Sequence, residues 1–369
     1  MRRSILAAAA LLLALPSFCQ LNTPPDGGNK KALVGERIGI TDVTVHYDRP
    51  AVKGRDGQVW GGLVHKGFAD LGFGTSKSAP WRAGANENTT VEFSTDVKVE
   101  GKDLPAGKYG LFIAYDPAEC TVIFSKNSTS WGSFFYDPKE DALRVSVKPV
   151  ASDKKVEYLQ YQFTNQSETG ATLELDWEKL TIPIRIETDL VNLQLASFRK
   201  ELRGERSFNP GWQSFNQAAT FCLMHNVNLE EALGWVNHSI DGPFIGDKNF
   251  RNLSVKAQIL TKLNRADEAK AIMKDALALG SPVEIHNYAR QLLAQKKNQE
   301  AFDVFKFNYD KHPNTYTTNM GLTRGYSAIG NYKKAMEFAN KALPQAPDNA
   351  NKMNVERLIK MLGEGKDVN

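Results

Sequence analysis

The sequence predicts an α+β multidomain protein, in which an antiparallel β-sandwich is followed by an α-helical solenoid of repeats. Short runs of alternating hydrophobic and polar residues continue to about residue 188, which is typical of half-buried strands. Beyond residue 189 the hydrophobic spacing becomes helical, and sequence marks recur about every 34 residues. At 369 residues and 41% hydrophobic content, the chain is long enough for two globular parts and too apolar for disorder.

The first 19 residues read as a secretory signal peptide. Arg2 and Arg3 precede an apolar run over 5–15, and a proline and small residues follow up to Cys19. The run is too short to cross a bilayer. We expect an exported protein, periplasmic or extracellular, with no membrane span. Lipidation of Cys19 is the alternative, and Phe18 directly before the cysteine disfavours it.

Charge and cysteine content narrow the function classes. The net charge of +4 includes two arginines of the leader, and the remaining charge is too small for a dedicated nucleic-acid binder. Cys120 and Cys222 fall in different predicted domains, which favours two buried thiols over a disulfide. The sequence has no His-Glu-x-x-His, Cys-x-x-Cys, Gly-x-Ser-x-Gly or P-loop motif, so we predict no metal and no cofactor.

Residues 20–31 form a polar linker rich in Pro and Gly, and residues 32–188 form the predicted β domain. Val43, Val45 and Tyr47 alternate with polar neighbours, and similar short runs recur between turn residues. Strands without intervening helices favour an antiparallel sandwich over a parallel fold. Pro183 is expected on an edge strand or at a bulge.

Several polar and aromatic segments of this domain do not follow the alternation. They include the runs His-Tyr-Asp-Arg-Pro and Trp-Arg-Ala-Gly-Ala-Asn-Glu and lie at 46–55, 60–64, 81–90, 104–109, 131–132 and 143–149. In combination they resemble the family called domain of unknown function 2911, over about residues 36–188. The resemblance implies a secreted or periplasmic β-rich domain, sometimes joined to helical repeats. It implies no catalytic residue.

Two of these segments supply candidate ligand-binding residues, which we expect at one strand end of the sandwich. They are His46, Arg49, Trp81, Arg82, Asn86 and Glu87. Guanidinium, aromatic, amide and carboxylate groups together suit a small polar ligand or a glycan. Two alternatives remain open. One is that the arginines and Trp81 are purely structural, and the other is that the domain is an envelope hydrolase with Glu87 as general acid or base within reach of His46.

Residues 189–205 are predicted to form a connecting helix, and residues 206–363 form helical hairpins. Ala269, Ala301 and Ala335 each begin a second helix. Seven residues later stand Ala276, Asn308 and Ala342, and the first helices carry Ala257, Ala289 and Thr323 at the crossing position. Small residues at these positions let paired helices approach closely. The pattern resembles the tetratricopeptide repeat over about residues 212–350, with polar Asn308 as a departure.

The first helices of such hairpins line a concave surface, which we expect to bind a peptide. The residues after the small positions are Gln258, Arg290 and Arg324, and Arg251, Lys262 and His286 lie one turn away. Arginines offer forked donors to carboxylates, so the expected partner is an acidic or C-terminal peptide segment. The alternative is a solvated basic face without a partner. The sequence as a whole predicts an exported binding or scaffold protein.

Overall fold

The computed structural model describes residues 29–369. The chain divides into two compact units at Gln194 and Leu195, which we call the β domain and the helical array. The predicted signal peptide and most of the predicted linker lie outside the described residues.

The β domain contains ten strands within the described residues. They are β1 (Lys30–Ile38), β2 (Thr41–Arg49), β3 (Thr90–Phe93), β4 (Val97–Val99), β5 (Lys102–Leu104), β6 (Gly107–Ala114), β7 (Cys120–Ser125), β8 (Asp141–Val147), β9 (Val150–Thr164) and β10 (Gly170–Glu187). All pairs are antiparallel, in a six-stranded sheet of order β1-β2-β3-β6-β7-β8 and a four-stranded sheet of order β5-β4-β10-β9.

The two sheets share one hydrophobic core, which explains the alternation in the sequence. Val43, Val45 and Tyr47 of β2 are buried, and they belong to the same cluster as Leu173 and Ile184 of β10. Because successive side chains of a strand point to opposite faces, one face of each sheet meets this core. Burial of these aliphatic and aromatic side chains is the main source of stability for the β domain.

Two local features differ from the sequence prediction. β1 begins at Lys30, so the strand includes the last residues of the segment predicted as a linker. Pro183 lies in β10, which is an inner strand, rather than on an edge strand. Its missing N–H costs no ladder bond, because β10 pairs with β9 up to Thr181 and with β4 from Ile186.

Ten α-helices follow within the described residues. They are α1 (Leu190–Glu201), α2 (Trp212–His225), α3 (Leu229–Asp241), α4 (Phe250–Lys262), α5 (Ala266–Leu279), α6 (Pro282–Ala294), α7 (Asn298–Lys311), α8 (Tyr316–Ala328), α9 (Tyr332–Ala342) and α10 (Asn349–Gly363). From α2 to α9 they pack as successive hairpins in a tetratricopeptide-like arrangement, as the repeat pattern predicts. Helices α4, α6 and α8 each begin at a reciprocal capping box, on Asn249, Ser281 and Thr315.

The small residues of the repeat lie where the helices cross. Ala257, Ala289 and Thr323 of the first helices are buried, as are Ala276, Asn308 and Ala342 of the second helices. Cys120 and Cys222 are both buried free thiols, as predicted. No helix between residues 29 and 369 combines the length and the apolar character needed to span a bilayer.

Candidate functional site

Trp81 is part of the aromatic core and not of an exposed site. It is 9% exposed, stacks on Trp177 at 6.0 Å between ring centres and meets Trp60 edge-on at 5.6 Å. The position of Trp81 therefore agrees with the alternative in which this residue is structural.

Arg49 is also separate from the predicted cluster. The Nε of Arg49 donates a hydrogen bond to the carbonyl of Leu159 at 2.9 Å, and its guanidinium lies 5.9 Å from the Tyr158 ring. Asp48, the neighbour of Arg49 in β2, points to the opposite face of the sheet. His46 is exposed, and no hydrogen bond joins it to Glu87 in the described part of the chain.

The loop between Trp81 and β3 holds the remaining candidates in a fixed conformation. Ala83 and Asn86 both adopt left-handed backbone angles, with φ of 51° and 54°. The hydroxyls of Thr89 and Tyr161 both donate to the carbonyl of Ala83, at 3.0 and 2.8 Å. At Gly84 a Cβ would lie 2.5 Å from the Thr89 hydroxyl, so the close approach requires glycine.

This loop brings Glu87 onto Asp48 and Lys31, and we call Asp48 and Glu87 the carboxyl pair. Lys31 Nζ lies 2.7 Å from Glu87 Oε2 and 3.7 Å from Asp48 Oδ2. Burial, and then the hydrogen bond with Glu87, raises the pKa of Asp48, which is 3% exposed. The hydrogen bond from Lys31, followed by that with Asp48, lowers the pKa of Glu87 to about 2. The two environments thus shift the pKa values of the two carboxyl groups in opposite directions.

Glu87, which the hydrolase alternative makes the general acid or base, already has partners in the structure. A general acid or base must be free to reach a reacting proton. Glu87 instead has Lys31 and Asp48 as its partners.

Next to this loop lies a group of aromatic side chains that sequence reasoning did not select. Phe73, Trp131, Phe134 and Phe135 form this aromatic platform. Trp131 and Phe134 are nearly parallel at 6.0 Å, and Phe73 meets Phe134 and Phe135 edge-on at 5.3 and 5.9 Å. Phe73, Trp131 and Phe135 are 63%, 58% and 52% exposed. The available signal was the Trp-Gly-Ser-Phe-Phe run, which fits no strand alternation.

Arg82 joins the aromatic platform to the loop that carries Glu87. Its guanidinium carbon lies 5.1 Å from the centre of the Trp131 ring and 5.5 Å from that of Phe134. One of its terminal nitrogens donates to the carbonyl of Asn86 at 2.8 Å. Burial lowers its pKa, and among the described residues it has no ion pair. Gly132 makes the contact possible, because a Cβ there would lie 3.1 Å from the guanidinium carbon.

In the helical array, two of the predicted groove residues line a cavity between α4 and α6. The cavity has a volume of about 260 Å³. Its lining residues are Phe250, Arg251, Ser254, Gln258, Glu284, Asn287, Tyr288 and Gln291. Arg251 lies 3.5 Å from Glu284 across it, so its charge is already countered. Lys262 is exposed at the last turn of α4 and does not line the cavity.

Arg290 of α6 and Arg357 of α10 both lie near Arg324 of α8, and we call these three residues the arginine cluster. Burial, and then the charges of Arg290 and Arg357, lowers the pKa of Arg324. No member of the arginine cluster has an ion pair within residues 29–369. The C-terminal segment accounts for one donor, because Arg324 donates to the carbonyl of Val368 at 3.1 Å.

His286 differs from the expectation of an open groove residue. It is mostly buried, with its ring 5.3 Å from that of Phe305. Burial, and then Arg324 and Arg290, lowers its pKa to about 4. At neutral pH the imidazole is therefore uncharged and adds nothing to the basic character of the groove.

The fold and these sites define a protein built from a β domain of two antiparallel sheets and a tetratricopeptide-like array. Residues 29–186 match the family model described as "Protein of unknown function (DUF2911)", which confirms the resemblance for the β domain. Among curated proteins, none matches the sequence at a significant level.

Several solved tetratricopeptide proteins are similar to the chain. YrrB, described as a TPR protein with an unusual peptide-binding site, is 18% identical over 44% of this chain and 81% of its own, with a TM-score of 0.28. A tetratricopeptide repeat protein from Parabacteroides merdae is 14% identical over 46% and 68%, with a TM-score of 0.30. Repeats of a putative kinesin light chain from Podospora anserina are 14% identical over 42% and 85%, with a TM-score of 0.29. Because these TM-scores are low, the ligands of these proteins are not transferred to this chain.

Proposed function

We propose that the protein is an exported binding protein, in which the helical array captures an acidic or C-terminal peptide segment and the β domain holds a polar ligand. The arginine cluster is the observation that carries the proposal. Within residues 29–369 the three guanidinium groups have no ion pair, and one of them is half-buried, so their forked donors have no anionic partner there. A peptide carboxylate matches that geometry.

The cavity between α4 and α6 supports the same proposal. Asn287 and Gln291 are exposed on its wall, and their amides can both donate to and accept from an extended peptide backbone. Arg290 lies on the same helix, α6, and so links the cavity to the arginine cluster. Basic side chains and amides along successive first helices provide a continuous polar track for a peptide.

The experiment is selection from a library of heptapeptides displayed with free C-termini, followed by anisotropy titration of the selected peptides. Arg290→Ala is expected to weaken binding about tenfold, because a hydrogen bond between charged groups contributes about 1.5–3 kcal/mol. Lys274→Ala, an exposed change on the second helix α5, is the matched control. Arg324 is a poorer choice, because its loss also releases Val368. Equal peptide affinities of Arg290→Ala and Lys274→Ala would contradict peptide binding at the arginine cluster.

Export is the second part of the proposal, and it is supported by the leader alone. Intact-mass measurement of the protein from the cell envelope should give a chain that begins at Gln20 without a lipid. A mass that includes a diacylglycerol on Cys19 would show a lipoprotein instead.

A further inference from the structure

We propose that the aromatic platform, together with Arg82, binds an acidic sugar through the ring and the carboxylate of a hexuronate residue. The inference deepens the proposed role of the β domain as a binding module, for which it names the chemistry of the ligand. It is independent of the peptide groove in the helical array.

The aromatic platform presents its rings to solvent. Phe73, Trp131 and Phe135 are each more than half exposed, although the same domain buries Trp81 and Trp177 in its core. Contiguous exposed aromatic surface marks a binding site. The C–H bonds of a pyranose ring pack against the electron-rich face of an aromatic ring, and the near-parallel Trp131 and Phe134 provide such a surface.

Arg82 places a positive charge beside these rings. Its guanidinium is half-buried against two rings, and among residues 29–369 only one of its donors has a hydrogen-bond partner, the carbonyl of Asn86. A partly buried cation without a counter-charge is costly. A carboxylate that accepts two parallel hydrogen bonds removes that cost and fixes the orientation of the ligand. A hexuronate carries this carboxylate on the same ring that stacks.

Polar groups lie beside the aromatic platform. The backbone of Glu87 forms a bridge with that of Trp131, so the carboxyl pair and Lys31 border the rings. Amide, ammonium and carboxylate groups in this position suit sugar hydroxyls, which both donate and accept.

The test is isothermal titration calorimetry of the full mature chain with trisaccharides of polygalacturonate, alginate and hyaluronan. The neutral trisaccharide of galactose serves as the uncharged comparison. We expect at least one uronate to bind at least tenfold more tightly than the neutral sugar. Trp131→Ala should weaken that binding at least tenfold. Arg82→Lys, which keeps the charge and loses the fork, should reduce the preference for the uronate.

Phe244→Ala, at a fully exposed aromatic of the helical array, is the matched control and should bind as the unaltered chain does. Circular dichroism confirms that each variant is folded. Binding of none of the three uronates, equal binding of the neutral sugar, or unchanged binding by Trp131→Ala would each overturn the inference. Peptide titration of the same samples separates the two proposals, because a chain that binds peptides and no sugar refutes the acidic-sugar site alone.

Discussion

The side-chain amide of Asn308 donates a hydrogen bond to the carbonyl oxygen of Pro282 at 2.8 Å. Asn308 is a residue of α7 at a repeat position where a small residue is expected. It is fully buried and contacts the first turn of α6. The bond explains how a polar side chain occupies that position. It ties the second helix of one hairpin to the start of its first helix.

Replacing Asn308 with alanine should lower the free energy of unfolding of the helical array by about 1–2 kcal/mol, because a buried hydrogen bond and some packing are lost. The measurement is urea unfolding followed by far-ultraviolet circular dichroism. Asn340→Ala, at an exposed asparagine of α9, is the control and should have little effect. A loss no larger than that of the control would show that the Asn308 bond contributes nothing.

His286 should make the stability of the helical array depend on pH. Its pKa is about 4 in the folded chain, below the value of about 6.5 in an unfolded chain. The unfolded state therefore takes up the proton first, and the free energy of unfolding falls from about pH 6.5 to about pH 4, by up to about 3 kcal/mol. Urea titrations across this range should show the decline, and His286→Gln should remove it. Exposed His46→Gln should retain it. An identical decline in both variants contradicts the assignment.

Asp48 should affect the β domain with the opposite sign. Because its pKa is raised in the folded chain, its contribution to stability is present below about pH 3.9 and is lost as the pH rises through the folded pKa. Asp48→Asn removes this cost, so at pH 7 the variant should be at least as stable as the unaltered chain. Unfolding followed by tryptophan fluorescence at pH 4 and pH 7 measures the difference.

The control for Asp48 is Asp42→Asn on the same strand. Asp42 is exposed and pairs with Arg37, which lowers the pKa of Asp42. Its replacement should therefore cost stability at pH 7 rather than add it. A marked loss of stability in Asp48→Asn at pH 7 would mean that the ionised carboxylate is itself needed.

Gly132→Ala should disorganise the aromatic platform. Gly132 has a φ of 75°, and a Cβ there would lie 2.9 Å from the Phe134 ring and 3.1 Å from Arg82. We expect loss of uronate binding together with a loss of about 1–2 kcal/mol of stability. Gly54→Ala is the control, because its φ is 72° and its Cβ would meet nothing within 4 Å. Gly54→Ala should bind the uronate as the unaltered chain does. Uronate binding that is equally strong in Gly132→Ala would contradict the proposed role of the platform.

The sequence predicted those features that depend on local periodicity. The alternation of Val43, Val45 and Tyr47 and the small residues Ala257 and Ala289 both reflect burial of one face of an element. Such patterns specify which side chains are buried. They therefore determined the two units, the order of strands then helices, and the positions of the helix crossings.

Side-chain partners across long separations were not predictable from these patterns. Trp81 and Arg82 are adjacent in sequence, yet the backbone sends one into the core and the other onto Trp131. Glu87 meets Lys31 only because β1 pairs with β2 in one register. Such pairings depend on the register of strands and the path of loops, which a single sequence does not display.

The central claim is that the concave first helices of the array bind the peptide. The direct measurement is photo-cross-linking of a selected peptide that carries a benzophenone side chain, with the modified residues located by mass spectrometry. We expect adducts on α4, α6 and α8, and we expect excess unlabelled peptide to prevent their formation. Displaceable adducts confined to α5, α7 and α9, or to the β domain, would contradict it.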